Sequence, residues 1–149
     1  MRIGLLFISI MAFSTNCQKG TNQQALVGAW QVDSTYSFYN GFGYTQTEAG
    51  SDWATYVYDE AGIMKEVKYG SFQSYFYELL ASDTLTVRPT QGGDPSIFNI
   101  LELNADRMVL KKNKKPVFSG GNQERYEIRF FSRTAMPEES AIPFSDPRK

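Results

Sequence analysis

From Ala29 to Arg133 apolar residues recur at every second position in short runs, and nearly every run is closed by a cluster of turn-forming residues. Side chains of a strand alternate between two faces, so this period predicts half-buried strands. Eight runs stand out, covering residues 29–39, 52–58, 63–69, 72–80, 84–89, 96–103, 107–112 and 124–133. Between them lie Asp59-Glu60-Ala61-Gly62, Gly70-Ser71, Ala81-Ser82-Asp83 and Asn104-Ala105-Asp106, where Asp and Asn close local turns and Gly accepts positive φ. The prolines fall at 89, 95, 116, 137, 143 and 147, outside every strand interior, where a missing N–H costs nothing. Connections this short join antiparallel neighbours, and eight meandering strands remove both free edges by closing on themselves. The expected fold is all-β, an eight-stranded antiparallel up-and-down barrel.

Two connections are longer: Asn40 to Ser51, with Phe42 and Tyr44 among glycines, and Asn113 to Gln123. The first reads either as a lid over an open barrel end or as a surface insertion with two aromatics on the rim. After Arg133 the segment TAMPEESAIPFSDPRK carries three prolines and no period, which predicts an extended or disordered tail over 134–149.

The chain's beginning reads differently. Arg2 precedes the apolar run Ile3 to Phe13, which is shorter than the roughly 20 residues a membrane-spanning helix needs and suits a signal-peptide core over 1–16. Ala12-Phe13-Ser14 fits small-x-small cleavage, and Ser14-Thr15-Asn16-Cys17 resembles the lipobox of bacterial lipoproteins, departing from it at Ser14 and Asn16. Cys17 is the single cysteine. Left free in an oxidising compartment it would cross-link, and acylation removes that liability while supplying the several chains that stable anchoring requires. The expectation is a lipidated Cys17, a polar tether over 17–24, and a domain over 25–133. The location is then the bacterial envelope, on its periplasmic or surface face.

Composition narrows the chemistry. Fifteen basic against sixteen acidic residues give a net charge of -1, which offers no field for nucleic acid. There is no histidine, and the domain body has no cysteine, so Ser-His and Cys-His nucleophile pairs and ordinary zinc or copper sites are not available. Asp59, Glu60, Asp83, Asp94 and Asp106 fall in turns, as caps. Catalysis, a cofactor and a metal are not expected. Lys111, Lys112, Lys114 and Lys115 read as a solvated hairpin tip, or as a patch for anionic headgroups or an acidic partner. Tyr56, Tyr58, Tyr75 and Tyr77 share a phase with Leu79, Leu85 and Val87, facing the interior. With Phe98 they are the candidate lining of a ligand pocket, unless side chains simply fill the barrel.

Leu26-Val27-Gly28-Ala29-Trp30 resembles the Gly-x-Trp signature of lipocalins, and more closely the lipocalin-like domains of Gram-negative envelope lipoproteins. Supporting pieces are Tyr56-x-Tyr58-x-x-x-Gly62, Tyr75-x-Tyr77-x-Leu79, Asp83-x-Leu85-x-Val87, Phe98-x-Ile100-x-x-Leu103 and Met108-x-Leu110. The resemblance implies that Trp30 plugs the barrel base with Arg133 or Arg129 packed across it. It also implies a non-catalytic binding module for a small, partly apolar ligand. A solid scaffold acting as a protein-interaction or inhibitor module is the alternative, and a carboxylate enzyme the remote one.

Overall fold

The computed structural model describes residues 17–47, 53–118 and 121–140. The expected signal segment over 1–16 and the tail beyond 140 lie outside the described residues. Among the described residues a helix, α1 (Cys17–Leu26), precedes nine strands: β1 (Gly28–Tyr39), β2 (Phe42–Thr47), β3 (Thr55–Tyr58), β4 (Ile63–Lys68), β5 (Ser71–Ala81), β6 (Thr84–Arg88), β7 (Ser96–Leu103), β8 (Arg107–Asn113) and β9 (Arg125–Thr134). Each strand from β3 to β9 pairs antiparallel with the next, and β1 pairs with both β3 and β9. The result is a closed eight-stranded antiparallel barrel with one additional strand, β2.

Two elements depart from the sequence reading. Residues 42–47 form a strand instead of a connection. The two-residue loop Asn40-Gly41, with φ of 46° and 90°, is the type of turn whose twist matches antiparallel strands, and it folds β2 back onto the upper half of β1. Residues 17–24, expected as a tether, lie within α1. That helix ends at Leu26, which is fully buried, and the Asn22 side chain donates to the Ser82 carbonyl at 2.7 Å. Tertiary contact holds this polar segment where its pattern predicts nothing regular.

β1 carries most of the closure. Its first four residues pair with β3, its last six with β2, and nearly its whole length with β9. A bulge at Asp33 separates the two halves and changes the phase, so Trp30 and Val32 point inward below it and Thr35 and Ser37 above it. The strap of residues 135–140 has no regular secondary structure. It runs along the outside of β3 and β4, held by a Glu139–Lys65 ion pair at 2.6 Å and a hydrogen bond from the Ser140 amide to the Gly70 carbonyl.

The lower half of the interior is packed. Trp30, Leu26, Leu85 and Met108 are fully buried, and Tyr58, Tyr77, Leu79, Leu110 and Phe131 join them. At the closed end the Arg133 guanidinium lies 3.9 Å from the Trp30 ring centroid; it, and not Arg129, occupies this place. Its nitrogens donate to the carbonyls of Val27 at 2.7 Å, Ala25 at 2.6 Å and Ala105 at 2.9 Å, capping α1 and tying it to the β7–β8 turn. The Trp30 indole N–H donates to the Leu26 carbonyl at 2.8 Å. Gly28, at φ 127°, is required here, since a Cβ on it would sit 2.3 Å from Arg133 Nη1. Trp30→Ala removes the centre of this assembly and should lower the unfolding free energy by about 3 to 5 kcal/mol in urea melts.

Candidate functional site

Opposite the sealed base the barrel is polar. The alternation that sends Phe131 inward on β9 also sends Arg129 and Glu127 inward, nearer the open end. The register of β8 against β9 pairs Lys112 with Glu127 and Leu110 with Arg129. Glu127 is only 7% exposed and accepts hydrogen bonds from both Lys114 and Arg129. On the far wall Glu66 accepts from the Tyr75 hydroxyl at 3.2 Å. The Lys112 ammonium donates to Ser96 Oγ at 2.9 Å and sits 5.1 Å from the Phe98 ring centroid.

An open pocket of about 330 Å³ lies against this group. Val32 and Trp53 give it apolar surface, and Thr35, Tyr56, Glu127 and Arg129 give it polar groups. Its outer side is bounded by Tyr44 and Gln46 of β2, which among the described residues pairs only with β1. A second pocket of about 450 Å³ adjoins it on the rim, sharing Ser37, Tyr44 and Lys114, and is lined by Tyr39 and Phe42. Phe42 is 80% exposed and Tyr44 66%.

Burial governs the titration of these groups. It pushes the Tyr56 hydroxyl up to about 12, helped by the neighbouring Glu66 charge. The Tyr75 hydroxyl is raised by burial and by Glu66. Lys112 is held below the usual lysine range by burial and then by repulsion from Arg129 and Lys114. Burial alone would raise Glu127; the hydrogen bonds and charges of Lys114 and Arg129 more than offset it and hold the carboxyl below its ordinary value.

The five aromatic pocket candidates separate. Tyr56 lines the open pocket. Tyr58 and Tyr77 belong to the packed core, their rings edge to face at 5.1 Å, and the Tyr77 hydroxyl donates to the Asp59 carbonyl. Tyr75 and Phe98 pack against the same core from partly buried positions. Of the turn carboxylates, Asp59 accepts from the Ile63 amide at 2.9 Å and Asp83 from the Thr84 hydroxyl at 3.1 Å. Lys112 and Lys114 turn to the barrel interior instead of forming a solvated tip, while Lys111 lies over the Tyr126 ring.

The sequence reading missed Glu127, Glu66 and Trp53 and gave Arg129 a different role. The signal was present in β9: Arg125, Glu127, Arg129, Phe131 and Arg133 occupy alternate positions, so whatever faces Phe131 inward must face the charges inward as well. Among the described residues no group of three or more Cys, Asp or Glu is placed to hold a metal ion. No protein-family model matches the chain, and no curated protein is significantly similar to it.

Because the folded Glu127 carboxyl has a lower pKa than its ordinary value of 4.5, its ion pairs contribute stability that is complete above that pH and is lost as the pH falls through the folded value. Glu127→Gln should therefore cost about 1.5 to 3 kcal/mol at pH 7 and flatten the acid limb of the stability profile, measured by urea melts across pH.

Proposed function

We propose that this barrel is a non-catalytic binding module that takes a small, partly apolar ligand at its open end. The observation that carries this reading is the division of the interior, packed and sealed at the base but open and polar at the mouth. Small-molecule sites combine apolar walls with a few convergent polar groups, and here the rim pocket supplies the first and the inner pocket the second. The ligand sits above Val32 and beside Trp53, its polar end among Thr35, Tyr56 and Arg129. The exposed aromatics of the β1–β2 hairpin supply the apolar flank.

The second reading, a protein-interaction module, draws on the same hairpin, because Phe42 and Tyr44 with Val117 and Phe118 place four exposed apolar side chains at one end of the barrel. The mouth below them favours a small molecule.

We also propose that the domain is held to the bacterial envelope through acylated Cys17, on the strength of the apolar run and lipobox-like segment before it. As expected for a protein anchored this way, a fatty-acid analogue should label the wild type and not Cys17→Ser, and the variant should leave the membrane fraction. A mature wild-type chain starting at Thr15 would overturn the anchor.

For the pocket, anilinonaphthalene sulfonate should bind saturably and quench Trp53 emission by energy transfer. Thr35→Phe, which fills the pocket, should abolish saturable binding. Binding that survives Thr35→Phe would move the site elsewhere.

A further inference from the structure

The inward-facing charges of the upper barrel do not balance. Lys112, Lys114 and Arg129 share the interior with two carboxylates, Glu127 and Glu66. Arg125 extends the inner face of β9 to the rim, two positions before Glu127, and lines the outer of the two pockets. Four cations thus face two anions in the upper barrel, a surplus of two positive charges in a chain whose net charge is -1. The rest of the molecule is correspondingly acidic.

Within the mouth the pairing is unequal. Glu127 is committed to Lys114 and Arg129, and Glu66 to a tyrosine hydroxyl. Lys112, which lines a neighbouring pocket that shares Lys114 with the mouth, has a serine hydroxyl and an aromatic ring, and no carboxylate among the described residues forms an ion pair with it. Burying a cation without a counter-charge is costly, and its lowered pKa expresses that cost. A cleft with low-dielectric walls and one excess sign of charge also focuses its field on an entering ion of the other sign.

We propose that the ligand is an anionic amphiphile bound head down, its acidic head at Lys114 and Arg129 and its short apolar tail on Tyr39, Phe42 and Tyr44. The inference rests on the reading of the mouth as a ligand site. The two adjoining pockets give it shape, since they share Ser37, Tyr44 and Lys114, so that one molecule reaches from the cationic interior to the aromatic rim. A carboxylate, sulfonate or phosphate monoester satisfies the head position, and acetate supplies the head without the tail.

Isothermal titration of the full chain with octanoate, octanol, octyltrimethylammonium and acetate tests the proposal. Octanoate should bind at least about tenfold more tightly than octanol, as expected for one charged hydrogen bond, and octyltrimethylammonium and acetate more weakly still. Lys114→Met should weaken octanoate about tenfold and leave octanol unchanged; Phe42→Ser, at an exposed position that folding does not need, should weaken both octanoate and octanol. Octanol binding as tightly as octanoate, or octanoate binding untouched by Lys114→Met, overturns the anionic head while leaving the pocket standing. Acetate binding as tightly as octanoate overturns the amphiphile in favour of a free small anion. Failure of all four to bind overturns the ligand-binding mouth itself, and this inference with it.

Discussion

Closure of β1 against β9 is the constraint on which the other features depend. The two strands pair from Ala29 with Thr134 to Tyr39 with Arg125, and once that register is set the inner face of β9 is set with it. Every second residue from Arg125 to Arg133 then points into or across the barrel. The strand carries an arginine to the base, a phenylalanine to the middle, and an Arg–Glu pair to the upper interior. The sealed base and the polar mouth are two ends of one alternating sequence.

The two ends place different demands on free energy. At the base, Arg133 finds three carbonyls and an indole face, so its charge is fully used in holding α1 and the β7–β8 turn against Trp30. Its removal would leave helix-end carbonyls unsatisfied over a buried ring. At the mouth, Glu127 and Arg129 meet in a partly desolvated place where apolar side chains of similar volume would serve stability as well. Retaining charge there is what a binding site requires and a packed core does not. The bulge at Asp33 marks the boundary, because above it β1 offers Thr35 and Ser37 to the interior where below it offers Trp30 and Val32.

The barrel was largely legible in the sequence because period-two alternation reports burial directly, and short Asp, Asn and Gly turns leave little choice of partner. The eight runs correspond to β1 and β3–β9 within a few residues. β2 escaped because FGYTQT has no buried face to pattern it; all six residues are exposed, and only the Asn40-Gly41 turn announces it. α1 escaped because its polar residues show no helical period, and its order comes from Leu26 and Arg133. For the site, the phase of Tyr56, Tyr58, Tyr75 and Tyr77 was readable but their depth was not. Alternation says which way a side chain points and not how far along the barrel the packing stops. The charges of the mouth were hidden for a related reason: Lys112 and Glu127 look like surface residues until the register places them across from each other.

The position of α1 relates the two ends to each other. The helix contacts the β5–β6 turn through Asn22 and ends under Trp30, so it lies at the closed end, as do the β3–β4 and β7–β8 turns. Cys17 is its first residue. An acyl anchor at Cys17, with only nine further residues of α1 before the plug, would tie the sealed base of the barrel to the bilayer. The long β6–β7 and β8–β9 connections, the aromatic hairpin and the cationic mouth belong to the opposite end. A binding site so oriented would take its ligand from the aqueous side, which would suit an amphiphile small enough to exist free in water better than a long-chain lipid drawn from the membrane below.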